Sequence, residues 1–265
     1  MVRVALLNCE DIPSWRGVYE KQFASFFQLE PTDVLVSYCV PLGELPTPFA
    51  LRESFDALVI SGSHYDAHNE SLDWVIPLVS LVKEVILTED SNFLCFGMCF
   101  GHQIIGTALG LTPSFLPDAA IEYGAVLCTL NERFAGLLGI GSNELLLWET
   151  HGSCIRLDSE PTTAALQRRW CTGNSPYTEV EGLAYGNRVL SLQGHPEFTC
   201  EIVKGIGDSL VREGLLAPEV LKVKNIEMDQ SLLLVERTRK IFSDFFSKVL
   251  RRAIILDWLE QPHSA

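Results

Sequence analysis

Three short groups of residues carry types and spacings suited to nucleophilic chemistry at a carbonyl. The first is Gly97-Met98-Cys99-Phe100-Gly101-His102-Gln103, which follows the apolar run 93–96. An apolar run, a Gly, a polarisable nucleophile, a second Gly and an apolar helical pattern (Ile104, Ile105, Ala108, Leu109) spell strand, sharp turn, helix. A nucleophile raised on a tight turn needs small neighbours, because larger side chains would collide with the strand and the incoming carbonyl. The turn also sets the thiol at a helix N-terminus, where the macrodipole favours thiolate over thiol. The same residues suit a buried structural Cys ahead of a helix-starting Gly, since free Cys is among the most buried residue types.

A Cys nucleophile needs a base to share its proton and a group to orient that base. Gly194-His195-Pro196-Glu197, directly after the apolar run 189–193, supplies a candidate pair. On extended backbone, residues two apart point the same way, so Glu197 can hold one ring nitrogen of His195 while the other faces the thiol. A lone His is more often a surface or core residue. The third group is Ser61-Gly62-Ser63-His64, after the apolar run 57–60. Loops at the C-terminal ends of central parallel strands are where open α/β sheets place their sites. The N–H groups of Gly62 and Ser63, with that of Phe100, could form an oxyanion hole. Ser and Gly after a strand also describe an ordinary turn.

The elements that must position these groups follow from the pattern of the whole chain. With 265 residues, 47% hydrophobic and 20% charged, it is long enough to bury a proper core. Its formal charge of −14 argues against nucleic acid or an anionic membrane as partner, since both need a basic footprint. The N-terminus reads as a first strand followed by acidic residues rather than a signal peptide, and no apolar stretch approaches the roughly 18–20 residues that span a bilayer. These features predict a soluble, cytoplasmic protein. Eight cysteines without C-x-x-C spacing read as reduced thiols, with neither a disulfide framework nor a zinc site.

Strands are predicted at 2–8, 33–39, 56–61 and 93–96, and helices around 19–27, at 69–88 and after Cys99. Strand and helix in alternation argue for a parallel sheet covered on both faces. Beyond the elbow helix, short strand-like runs at 125–130, 144–149, 163–166, 182–185 and 189–193 predict an antiparallel extension, with Gly186-Asn187 as a hairpin turn. Helices return at 199–213 and 230–250, where Phe242, Phe245, Phe246 and Leu250 suit core or subunit contact. The apolar Ala253-Ile254-Ile255-Leu256 with Trp258 suits capping a partner, and residues 259–265 are predicted to fray. No linker or repeat interrupts the chain, which predicts one domain with a core at about 2–205 and a helical extension at about 206–258.

The three groups, in this order, resemble the class I glutamine amidotransferase superfamily. Its marks here are G-M-C-F-G-H-Q at 97–103, Q-G-H-P-E at 193–197 and I-S-G-S at 60–63. Glu122-Tyr123-Gly124 and Trp148-Glu149-Thr150-His151-Gly152 are similar to two further landmarks, the second of which lines the glutamine pocket. The resemblance implies a flavodoxin-like, mostly parallel sheet, Cys99 as nucleophile, His195 as base, Glu197 as orienter and a γ-glutamyl thioester intermediate. It needs no cofactor and no metal. It also implies that Gln103, Thr150, His151 and Gly152 sit beside the substrate, although Gln103 could equally be a helix-surface residue.

Within the superfamily, Ile60-Ser61-Gly62-Ser63-His64-Tyr65-Asp66-Ala67 followed by Glu70 and Asp73-Trp74 looks most like the stand-alone γ-glutamyl peptidase branch. Three departures stand out. Ser63 replaces a second Gly in the oxyanion loop, and Ser153 replaces the Asp common in H-G-D. Trp15-Arg16-Gly17-Val18-Tyr19 stands where that branch tends to have Tyr-Gly-Gly-Tyr, and Arg16 there could grip a substrate carboxylate or remain a solvated charge. The activity implied is hydrolysis of γ-glutamyl amide bonds in small peptides such as glutathione or its conjugates. The alternative is a glutaminase subunit that passes ammonia from L-glutamine to a separate synthetase subunit. A homo-oligomer is compatible with either. A catalytically silent regulatory member is disfavoured, because all three triad positions are filled. His64, His68 and His102 are not expected to be catalytic.

Overall fold

The computed structural model describes residues 1–69, 71–88, 92–157 and 169–252. In chain order the first half comprises β1 (Arg3–Asn8), α1 (Pro13–Phe26), β2 (Val34–Cys39), α2 (Pro48–Ser54), β3 (Ala57–Ile60), α3 (Val75–Leu87), β4 (Leu94–Met98) and α4 (Phe100–Ala108). Next come β5 (Thr112–Phe115), β6 (Glu122–Leu130), α5 (Glu132–Leu138), β7 (Glu144–His151), β8 (Ser153–Arg156) and β9 (Arg169–Asn174). The chain continues through β10 (Gly182–Tyr185), β11 (Val189–Leu192), α6 (Cys200–Arg212) and α7 (Pro218–Leu250).

Among the described residues, nine strands form one sheet in the order β2-β1-β3-β4-β11-β10-β9-β6-β7, and β5 pairs with β8 apart from it. Neighbours from β2 to β11 are parallel, and those from β11 to β7 are antiparallel. This is the expected α/β sheet, parallel where it carries the predicted site and extended by antiparallel strands. The central strands β3, β4, β10 and β11 are buried along their whole length, which explains their unbroken apolar runs. One face packs on Phe23, Phe26, Phe27, Trp148 and Phe246, and the other on Leu78, Val82, Phe100 and Ile105. Phe246 reaches the sheet itself, 5.2 Å from the ring of Phe96, so the aromatic positions of α7 are core.

Several boundaries differ from the sequence reading. Helix α3 begins at Val75 rather than at residue 69, because Asn69 accepts the N–H of Ser71 at 3.1 Å and turns the chain locally instead. Helix α7 begins at Pro218, whose ring suits a first helical turn, and runs 33 residues. Helices α2 and α5 and the β5–β8 ribbon were not anticipated. The predicted strand at 163–166, Glu70, the apolar 253–258 and the tail 259–265 lie outside the described residues. No helix among the described residues is long and apolar enough to cross a membrane.

Candidate active site

The end of β4 and the start of α4 fix the predicted nucleophile. Cys99 sits at φ 50° and ψ −105°, a backbone that a non-Gly residue keeps only when its surroundings hold it. Two hydrogen bonds do so. Its N–H donates to the Leu192 carbonyl at 2.9 Å, and its own carbonyl accepts the Gln103 N–H at 3.0 Å. The flanking glycines are required by space. A Cβ on Gly97 would lie 2.6 Å from the Gly101 carbonyl oxygen, and one on Gly101 would run into the carbonyl of Ile60. Thus β3, β4, β11 and α4 meet at one point.

His195 arrives from the neighbouring strand β11. It stands on a turn rather than on extended backbone, because Pro196 cannot continue a ladder; the Phe198 N–H closes the turn on the His195 carbonyl at 3.2 Å. The turn still brings His195 Nδ1 to 2.7 Å from Glu197 Oε1. The imidazole stacks on Phe198, with centroids 4.0 Å apart and planes within 4°. Burial opposes an imidazolium here, but the charges of Glu197 and Cys99 outweigh it, and His195 is pushed up to about 10. At neutral pH the ring therefore carries a proton beside the sulfur. Glu197 is fully buried behind it.

Cys99 and His195 line a cavity of about 480 Å³ together with Ser63, Phe100, Gln103, Thr150, His151 and Gly152. Among the described residues, no acceptor faces the N–H of Gly62, Ser63 or Phe100, while the Ser61 carbonyl between β3 and this loop is taken by the Gly101 N–H at 3.1 Å. Gly62 does not line the cavity; it lies against His195, where a Cβ would come within 2.9 Å of Cε1. Arg16 is not a lining residue either. Ile12, just ahead of α1, and Trp15 and Tyr19 on it line the cavity, and Arg16 falls one position round the helix from Trp15. Its carbonyl accepts Asn8 Nδ2 at 2.9 Å.

His64 lies at the cavity edge with Nδ1 at 2.8 Å from Glu10 Oε1. His68 packs edge-on against Phe115, 4.3 Å between centroids. His102 is buried with Nδ1 at 2.9 Å from Ser191 Oγ, and burial pulls it down to about 3, so it is neutral.

Sequence reasoning did not single out several residues that the fold brings to this centre. Gln193 Nε2 lies 3.6 Å from the sulfur of Cys99, and its Oε1 accepts Gln103 Nε2 at 3.3 Å. Behind the cavity wall, His151 Nε2 lies 3.2 Å from Glu122 Oε2 and 3.3 Å from Glu149 Oε2, and all three side chains are buried. Its Nδ1 donates to the Ser153 carbonyl at 3.0 Å. Burial opposes its charge, but the two carboxylates hold His151 well above its usual range. Glu181 adds a third buried carboxylate, pushed up by burial and by Glu149. Ligand atoms of Glu122, His151 and Glu181 lie within 4.8 Å of one another, a donor set of cation type in which the imidazolium supplies the positive charge. The signal for this set was present: Glu149 and His151 are two apart on β7, and Glu122 faces His151 in the β6–β7 register.

The fold and the chain's sequence agree on a family. The class I glutamine amidotransferase model matches residues 38–204, well over half of the chain, and the protein belongs to that family. It is an enzyme of the hydrolase or amidotransferase type. A putative glutamine amidotransferase of Saccharomyces cerevisiae is 31% identical over 153 residues, 58% of this chain and 57% of its own length. Gamma-glutamyl peptidase 4 of Arabidopsis thaliana is 26% identical over 224 residues, 82% of this chain and 81% of its own. A glutamine amido transferase from Methylobacillus flagellatus shares the flavodoxin-like fold at TM-score 0.66, covering 99% of this chain and 98% of that one at 16% identity.

Proposed function

We propose that the protein is a cysteine hydrolase that cleaves γ-glutamyl amide bonds of small γ-glutamyl peptides, acting as one domain whose α7 completes the core. The observation that carries the reading is His195, held at Nδ1 by Glu197 at 2.7 Å and lining one cavity with Cys99. The sulfur of Cys99 attacks the γ-carbonyl, and the N–H groups of Ser63 and Phe100 receive the oxyanion, with Gly62 backing the His195 ring. The carbon–nitrogen bond then breaks as His195 gives its proton to the leaving amine, which leaves a γ-glutamyl thioester. His195, now neutral, takes a proton from water as it attacks the thioester, and glutamate leaves with the Cys99 thiolate restored beside the protonated ring.

The shape of the cavity supports a peptide rather than glutamine. Beyond Cys99 it continues along Ile12, Trp15, Phe115, Ile206 and Leu210, an apolar wall with room for a leaving group far larger than ammonia. The test is glutamate release by the purified protein from glutathione, a glutathione S-conjugate, γ-Glu-Cys and L-glutamine. Release from the peptides well above that from glutamine, and lost in Cys99→Ala, is the expected result. Turnover of glutamine alone, or of nothing until a synthetase subunit is added, would move the assignment to an amidotransferase subunit.

A further inference from the structure

We infer that Asp66 binds the α-ammonium group of the γ-glutamyl substrate and so decides that the enzyme takes amino acids at this end. The inference rests on the γ-glutamyl reading above. Asp66 stands on the loop after β3, three residues beyond Ser63, and lines the cavity beside Gln103, His151 and Ser153. Its Oδ1 accepts the hydroxyl of Ser153 at 2.7 Å, which ties the β3 loop to the segment after β7 across 87 positions of sequence. Its Oδ2 has no hydrogen-bond partner among the described residues.

Three other acceptor groups of the cavity are already engaged. The Ser153 carbonyl receives both Gln103 Nε2 at 2.8 Å and His151 Nδ1 at 3.0 Å. The Gly152 carbonyl receives the Leu116 N–H at 2.8 Å. Both oxygens of Glu10 are occupied by His64, and one of them also by the Ile12 N–H. An ammonium needs an anionic acceptor with capacity to spare, and a half-buried carboxylate makes a stronger bond to it than a neutral carbonyl would. Gln103 follows Cys99 by one helical turn and touches Ser153, so the wall from sulfur to Asp66 is continuous. A glutamyl chain laid along it would place its γ-carbonyl at Cys99 and its α-nitrogen at Asp66.

The experiment measures how fast Cys99 is alkylated, by intact mass, in the full chain and in Asp66→Asn. Three reagents are used: 6-diazo-5-oxo-L-norleucine, its counterpart lacking the amino group, and iodoacetamide. The wild-type protein should prefer the amino reagent over the desamino one by tenfold or more. Asp66→Asn should bring that ratio close to one through a slower reaction with the amino reagent, with the other two rates held within twofold. Retention of the preference in Asp66→Asn overturns the inference, as does an equal loss with all three reagents, which would mark a structural role. If wild-type Cys99 reacts with iodoacetamide yet gains nothing from either glutamyl reagent, the γ-glutamyl reading itself fails and this inference with it.

Discussion

Two pairs in this protein have the same ingredients and the same spacing. His195 and Glu197 are two apart, and so are Glu149 and His151; all four side chains are buried. In the first pair Nδ1 rests on a carboxylate, and the ring lines the cavity with Cys99, whose charge acts on it. In the second, Nδ1 rests on the Ser153 carbonyl, and Nε2 is caught between Glu122 and Glu149. Both rings are held charged, but only the first has a reacting atom to exchange its proton with. A carboxylate two residues from a His therefore sets the charge of the ring. What the other nitrogen faces sets whether that charge does chemistry or holds structure.

The sharpest way to break this comparison is to neutralise each pair in turn. Glu197→Gln should lower kcat/KM by about 10³-fold, within the range usual for loss of a working acid–base group. It should also move the alkaline limb of the pH–rate profile downward, because the Glu197 charge is the largest influence raising His195. His151→Gln should act on stability. It leaves Glu122 and Glu149 buried without their cation, a change that costs about 3–5 kcal/mol when a buried pair is broken. Because His151 is raised in the folded state, its contribution is complete below its ordinary value of 6.5 and fades as pH rises through the folded value. Urea titrations at several pH values should show the loss greatest in mild acid. A His151→Gln protein as stable as wild type but inactive would erase the distinction drawn above.

How far the sequence revealed this difference depends on where each residue's partners lie. Gly97, Cys99 and Gly101 were legible because strand, turn and helix follow one another in the chain; a Cβ on Gly97 would meet Gly101 itself, although the collision at Gly101 is with Ile60 on the distant strand β3. His195 and Glu197 were legible through their spacing, although Pro196 makes the backbone a turn, so the geometric reason offered from sequence was not the one the fold uses. Glu122, Glu149 and Glu181 were not legible as a set. Glu122 lies on β6, Glu149 on β7 and Glu181 just ahead of β10, and the order β10-β9-β6-β7 that gathers them cannot be read from the pattern of any one segment. Arg16 illustrates the reverse case, since one helical position separates it from the cavity-lining Trp15. Helix α3 was placed too early because apolar periodicity reports buried faces, whereas the Asn69 turn is made by a polar side chain.

Two weaker perturbations sharpen the comparison. Glu181 is raised by burial and by Glu149, so the folded state holds a proton that the unfolded chain gives up above about its ordinary value of 4.5. Stability must then fall as pH climbs from 4.5 toward the folded value. Glu181→Gln removes that slope, so its melting temperature should match wild type near pH 4 and exceed it at pH 8, with kcat/KM nearly unchanged. A variant less stable than wild type at pH 8 would mean that the carboxylate charge is wanted there.

The smallest effect concerns the third buried imidazole. Among the described residues no carboxylate bonds to His102, whose Nδ1 lies 2.9 Å from the hydroxyl of Ser191, and burial keeps it neutral. Ser191→Ala deletes one neutral hydrogen bond, worth about 1 kcal/mol. Its cost should not vary between pH 5 and 9, since His102 titrates near 3 and gains no proton across that range. A pH-dependent loss would show that His102 carries charge. Burial alone would then be insufficient to keep a histidine neutral in this sheet, and the carboxylates beside His151 and His195 would no longer explain why those two rings are charged.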